Sequence, residues 1–328
     1  MTSTSQVFVP SRAEIATPSV PMLVRTRKGM AVARPALPGP VVLVPTMGAL
    51  HDGHRSVLRV ARELAGSVGS VLVSIFVNPL QFGPAEDFDR YPRPIEHDLA
   101  VCAQERATAV FHPDTAQMYR SPPLVTVDPG PVGRVLEGRS RPGFFDGVLT
   151  VVLKLFHLTE PDAAVFGAKD AQQLALIRQM VTDLDLRVEI VSAPLHRDPD
   201  GLATSSRNAY LSAAERAAAV ALPRALAAAS AAADRGVGPA MAAARAVLDE
   251  AAVGSPPLRL DYLVLADPAT FAEVGNDHRG AALVLVAAKV GTTRLIDNAR
   301  LQVGARVAGS HTDPAGAAGR LGEEGGRS

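Results

Sequence analysis

The chain has 328 residues, 47% of them hydrophobic, and its 33 Lys+Arg are balanced by 33 Asp+Glu. That length buries a sizeable core in one large or two moderate domains, and the charge balance argues against nucleic acid or an anionic membrane surface as partner. Cys102 is the single cysteine, which excludes an intramolecular disulfide framework and fits a reducing compartment.

No apolar run approaches the ~20 residues that span a bilayer, and the first twenty residues lack the hydrophobic core of a signal peptide. The expectation is a cytoplasmic protein with small-molecule partners. Residues 1–20 read as a disordered leader and 307–328 as a disordered tail, because neither composition can bury enough apolar surface to order itself.

An apolar, β-branched run at 41–44 reads as a buried strand. It leads through Pro45-Thr46-Met47-Gly48-Ala49-Leu50-His51-Asp52-Gly53-His54 into helical spacing over 56–65. Two glycines and a small alanine in such a turn let a ligand approach the backbone, and amides at a helix start favour negative charge, so the decamer reads as a phosphate seat. His51 and His54 lie three apart and can donate to one phosphoryl group from a common side. Half of a metal site and a pair of solvated turn residues are the competing readings; one cysteine and no further histidine cluster weigh against the first.

A strand over 70–77, a helix over 95–106 and a strand over 109–112 follow. This alternation predicts a parallel sheet with right-handed crossovers, whose ligands bind beyond the carboxyl ends of the strands. The decamer and the loop Asn78-Pro79-Leu80-Gln81-Phe82 both follow strands and should meet at one crevice. Residues 86–93, charged and interrupted by proline, read as a solvated turn, and 124–127 as a short strand. After the loop 139–147, residues 148–158 form a core helix. A strand at 163–166 then ends in Gly167-Ala168-Lys169-Asp170 before a helix over 172–182, repeating the geometry of the decamer. Lysine there sets a point charge against phosphate and Asp170 accepts from ribose hydroxyls, unless the two form only a solvated pair. Beyond a strand at 187–191, Thr204-Ser205-Ser206-Arg207-Asn208 either grips a polyphosphate or caps a helix.

From residue 212 the composition shifts to alanine-rich helices over 213–233 and 239–253, then to strands at 261–265, 282–290 and 293–298. Helices followed by strands indicate a separate α+β unit with its boundary near 195, and Leu222, Leu226, Val247 and Leu248 supply its apolar face.

Taken together, the decamer, Phe76-Val77-Asn78-Pro79-Leu80-Gln81-Phe82 with Glu86-Asp87 and Tyr91-Pro92-Arg93, residues 166–170 with Gln172-Gln173-Leu174, and residues 200–208 resemble the pantothenate synthetase family, in family order over about 22–300. The resemblance implies an α/β fold: a Rossmann-like nucleotidylyltransferase domain with a parallel sheet over 21–195, a smaller α+β lid domain over 196–306, and a homodimer. It implies ligation of pantoate and β-alanine with ATP and Mg²⁺ through a pantoyl adenylate; a nucleotidyltransferase of the same fold is the alternative. By resemblance, Met47, Gly48, Ala49, Leu50, His51, Asp52, Gly53 and His54 line the ATP site, with His54 as catalytic acid. Gly167, Ala168 and Asp170 lie by the ribose, Lys169 by the phosphates and the His196 backbone by adenine, while Thr204, Ser205, Ser206 and Arg207 form the triphosphate-binding segment. His51, Lys169 and Arg207 join His54 as catalytic residues, Gln81, Gln173 and Asn78 bind the acid substrates, and Asp98 is a metal ligand. Phe144, Thr204 and Ala168 depart from the family's usual histidine, methionine and glutamate.

Overall fold

In the computed structural model, which describes residues 20–84 and 86–304, the apolar runs become strands buried on both faces. The expectations for the leader through residue 19 and for the tail lie outside the described residues. The first part of the chain runs β1 (Met22–Val24), α1 (Arg27–Ala33), β2 (Val41–Thr46), α2 (Asp52–Ala65), β3 (Ser70–Ile75), α3 (Ile95–Gln104), β4 (Ala109–Phe111) and two short helices, α4 (Thr115–Met118) and α5 (Glu137–Ser140). Then come α6 (Phe144–Thr159), β5 (Ala163–Gly167), α7 (Ala171–Asp183) and β6 (Glu189–Ala193).

These six strands form one sheet in the order β1-β4-β3-β2-β5-β6, with every neighbouring pair parallel. Because β2 leads by α2 to β3 on one side and β5 leads by α7 to β6 on the other, the winding reverses between β2 and β5. Such a switch point opens a crevice at the carboxyl ends of the strands. One face of the sheet packs Leu43, Leu72 and Phe111 against Phe145, Leu149 and Val152 of α6. The other packs Val42, Val44 and Val73 against Leu58 and Ala61 of α2. Burying each such side chain contributes about 1.5–3 kcal/mol, and truncating Leu43, fully enclosed, to alanine would cost about 2–5 kcal/mol.

The chain then enters α8 (Ala213–Ala219), α9 (Ala221–Ala232), α10 (Val237–Ala252) and an antiparallel sheet β7 (Leu258–Ala266), β8 (Gly280–Val290) and β9 (Thr293–Val303), in that order. Leu222, Leu226 and Leu248 pack with Val284 and Val286 in a core of their own. An α/β unit with a parallel sheet and a smaller unit built on three antiparallel strands is the architecture expected from sequence.

Three local expectations change. The helix over 213–233 is two helices, because Pro223 lacks the N–H that would bond to Ala219 and so breaks the ladder at Val220. Residues 124–127 are not a strand: Leu124 stands almost fully exposed, and Val127 N–H donates to the Thr150 hydroxyl instead of to a sheet edge. Residues 86–93 are not a solvated turn, since Tyr91 is buried and Glu86 and Asp87 are enclosed by arginines. Among the described residues no helix is long and apolar enough to cross a membrane.

Candidate active site

Helix α2 starts four residues earlier than its apolar periodicity suggests, so His51 is its N-cap and His54 its third residue. The two rings stand 4.1 Å apart, centroid to centroid. The His51 N–H donates to His54 Nδ1 at 3.3 Å, which requires that nitrogen to be unprotonated and leaves the proton on Nε2. Burial lowers the His54 pKa to about 3, with His51 and Lys169 adding to the effect. Burial and then Lys169 lower that of His51 to about 4. Both rings are therefore neutral at pH 7, each with one N–H to donate. His51 Nδ1 is buried without a hydrogen-bond partner, packed against Gly53.

Ahead of the helix start, the decamer spends three amides on the protein's own groups. Asp98, 1% exposed, accepts the amides of Ala49 at 2.9 Å and Leu50 at 2.7 Å, and the Thr46 hydroxyl accepts that of Gly48 at 3.2 Å. Gly48 sits at φ +85°, and a Cβ there would lie 2.8 Å from the Asp98 carboxylate. Gly53 leaves room for the His51 ring. The small residues thus admit the protein's own groups, and Pro45, Thr46, Met47, His51, Gly53 and His54 line the cleft. With both oxygens given to backbone amides, Asp98 braces the turn instead of presenting itself as a metal ligand. Burial pushes its carboxyl pKa up against the two amide bonds.

Beyond β5, the neighbour of β2, the turn to α7 carries Lys169, whose ammonium stands 3.7 Å from Asp170. Lys169 and Asp170 line the same cavity as the histidines, about 250 Å³ in volume, and an adjoining space of about 680 Å³ shares Phe144, Lys169, Gln173 and Arg207 as walls. Gln81 enters from the loop after β3. Its carbonyl oxygen accepts from Asn78 Nδ2 at 3.1 Å and its Nε2 approaches Met47 Sδ at 3.1 Å. Asn78, expected to touch substrate, lines this cavity at 1% exposure and bonds to Gln81, the Gly147 carbonyl, Leu80 N–H and the Tyr119 hydroxyl, so it also positions Gln81. Gln173 lines the cavity and has no protein partner for its amide among the described residues.

The segment from His196 to Arg207 closes the opposite wall. Thr204 donates to Asp198 and so accepts from His196 Nδ1 at 2.9 Å. Ser205 does what its alternative reading required, capping the short 3₁₀ helix Ser206–Tyr210, and the Ser206 hydroxyl meets Tyr91. Arg207 is mostly enclosed and donates to Asp87 at 3.0 Å. Next to it, Arg141 is bidentate to Glu86 and stacks on the Phe144 ring, 3.7 Å from its centroid. Burial works to raise the pKa of both Glu86 and Asp87, and hydrogen bonds from Arg141 and Arg207 outweigh it, holding them below the ordinary carboxylate value. Sequence reasoning missed these two ion pairs because each joins residues at least 55 apart in the chain.

The model of the family described as pantoate-beta-alanine ligase matches residues 6–300. The chain belongs to that family. It is accordingly a ligase, similar to the pantothenate synthetases of Thermobifida fusca (61% identical, covering 86% of this chain and 96% of the relative) and Acidothermus cellulolyticus (57%; 85% and 91%). Among solved structures, the Thermus thermophilus pantothenate synthetase superposes with TM-score 0.78 at 42% identity, covering 85% of this chain and 98% of that one. The Francisella tularensis pantoate-beta-alanine ligase, solved with β,γ ATP and β-alanine, superposes at 0.69 with 30% identity (85% and 97%). Phe144, where the resemblance expects histidine, presents an aromatic face that holds Arg141 by cation–π contact.

Proposed function

We propose that the chain ligates pantoate to β-alanine in two steps driven by ATP. A pantoate carboxylate oxygen attacks the α-phosphorus, the bond to the bridging oxygen breaks and pyrophosphate leaves; the deprotonated amine of β-alanine then attacks the acyl carbon of the adenylate and AMP leaves. The observation that carries this reading is one cavity lined on one side by His51, His54 and Lys169 and on the other by Gln81, Gln173 and an apolar wall of Phe76, Val148 and Val151. Pantoate has two hydroxyls and a carboxylate around a dimethyl-substituted carbon, so amides and an apolar wall suit it. A strong cation at the carboxylate would blunt its nucleophilicity.

Phosphoryl transfer needs aligned reactants and electrostatic stabilisation more than covalent help. In this reading, the His51 ring and His54 Nε2 face the phosphates as neutral donors, Lys169 supplies the mobile positive charge, and Ser205, Ser206 and Arg207 take the triphosphate once Arg207 leaves Asp87. Gly167 and Asp170 take the ribose, and the His196 backbone takes adenine. Among the described residues no cluster of three His, Cys, Asp or Glu side chains could hold a metal ion, and Asp98 is committed elsewhere. The side chains therefore do not form a magnesium cage, and no step here is routed through one; Mg²⁺ entering with ATP would take the triphosphate oxygens as ligands. The family likeness supports a cytoplasmic homodimer, which light scattering of the purified chain would check. The two-step scheme predicts pantoate-dependent exchange of labelled pyrophosphate into ATP with no β-alanine present. An enzyme that makes pantothenate yet shows no such exchange would overturn it.

A further inference from the structure

Lys169 has a problem of precision that its own side chain does not solve. Its ammonium ends a flexible four-carbon stem, and its nearest acid, Asp170, stands 3.7 Å away on a partly exposed side chain. The backbone beneath it is fixed from the other sheet. Asn298 on β9 donates from its side-chain amide to the carbonyls of Lys169 at 2.7 Å and Ala168 at 3.1 Å. On the opposite side of the turn, Ala168 N–H donates to the Ala193 carbonyl at the end of β6. The adjacent Asp297, 2% exposed, accepts a bidentate pair from Arg197 at 2.7 and 3.1 Å and the Asn298 N–H at 2.7 Å. Arg197 in turn donates to the Gly201 carbonyl, and its backbone bridges to Ala203 in the hairpin that leads from His196 to Thr204. Two consecutive residues of the antiparallel sheet thus grip both walls of the cleft, the lysine turn by one side chain and the His196 hairpin by the other.

We propose that Asn298, held by the Asp297–Arg197 pair, is a positioning residue for Lys169, so that the antiparallel sheet sets the site of positive charge in adenylate formation without touching substrate. The inference rests on the reading of Lys169 as a phosphate-facing residue. Its physical basis is the sensitivity of transfer to geometry: a misplacement of about 1 Å at a reacting group costs about 10²-fold in rate, and a turn freed from two hydrogen bonds has room to move that far. An asparagine suits the place because one NH₂ group carries two donors, enough for two adjacent carbonyls. Aspartate would present oxygens to oxygens.

The test is single-turnover pantoyl adenylate formation at saturating ATP and pantoate in the full chain, comparing Asn298→Leu with the parent and then the same change in a Lys169→Ala background. The expected result is a loss of about 10- to 100-fold in the parent background, with less than about threefold in the Lys169→Ala background and an ATP dissociation constant within about threefold. Equal fold-losses in the two backgrounds overturn the proposal, because Asn298 would then act independently of the lysine. A loss that disappears once ATP is saturating also overturns it, since the residue would serve binding alone. Should Asn298→Leu fail to fold, Asn298→Ser, which is smaller and whose hydroxyl cannot bridge both carbonyls, is read by the same criteria. A parent that forms no pantoyl adenylate refutes the two-step reading itself, an outcome visible before any variant is made.

Discussion

Two turns face each other at the switch point of the sheet, the decamer after β2 and the shorter turn after β5, and they are built on opposite plans. The first is braced from within its own domain: Asp98 and Thr46 take the amides of Gly48, Ala49 and Leu50, Gly48 and Ala49 take positive φ, and what it offers the cleft is a pair of half-buried neutral rings. The second offers a charge on a flexible stem and borrows its brace from β9, about 130 residues away. Rigid neutral donors need only local support, because a ring packed in a turn has few rotamers. A lysine needs its backbone set by something that packs across the cleft.

The comparison breaks most visibly if the charged turn turns out to be dispensable. Lys169→Ala should lose about 3–4 kcal/mol of transition-state stabilisation, or about 10²–10³ in kcat, while ATP binding weakens much less. Single-turnover adenylate formation beside the ATP dissociation constant decides it, and a near-parental rate at saturating ATP would make the lysine a binding residue. For the neutral turn, Asp98→Ala leaves two enclosed amides without acceptors and should cost about 3 kcal/mol of stability, read from urea denaturation. Little change would mean that the turn does not depend on its carboxylate.

Acidity separates the two turns further. Because burial lowers both histidine pKa values in the fold, the unfolded chain binds these protons first as pH drops. Their contribution is whole above the unfolded value of 6.5 and is lost as pH falls from there toward about 4 for His51 and about 3 for His54. Stability should therefore decline between pH 6.5 and 4 by up to about 1.4 kcal/mol per pH unit for each such proton, and His54→Gln should flatten that slope by about one proton. An unchanged slope would place the proton uptake elsewhere. The smallest expected effect is at the ion pair that occupies Arg207. Asp87→Asn releases the guanidinium and should lower the ATP KM by about 1.4- to fivefold, as an exchange worth ~0.2–1 kcal/mol implies. A raised KM would show that Asp87 orients Arg207 for the nucleotide instead of competing with it.

Much of this site is legible in the chain because the information is local. Strand runs, the turns that follow them, and the residue types His51, His54, Lys169, Gln81 and Gln173 are set by period, glycine placement and chemistry within a few residues. The helix break at Pro223 was legible too, and the alanine richness around it hid it.

The amino-acid sequence by itself determined which side chains stand at strand ends, and therefore that a crevice would open at the carboxyl ends of a parallel sheet. Tertiary structure alone decided what state those side chains are in. Burial, which depends on α2 packing into the sheet, pushes both histidine pKa values well below 6.5. Asp98, read as a metal ligand, is turned inward because the nearest unsatisfied groups are backbone amides brought to it by folding. Arg207 pairs with Asp87 across 120 residues and Asn298 holds Lys169 across 129. No local pattern records such partners, since hydrogen bonds and ion pairs act over a few ångströms in space, whatever the separation along the chain.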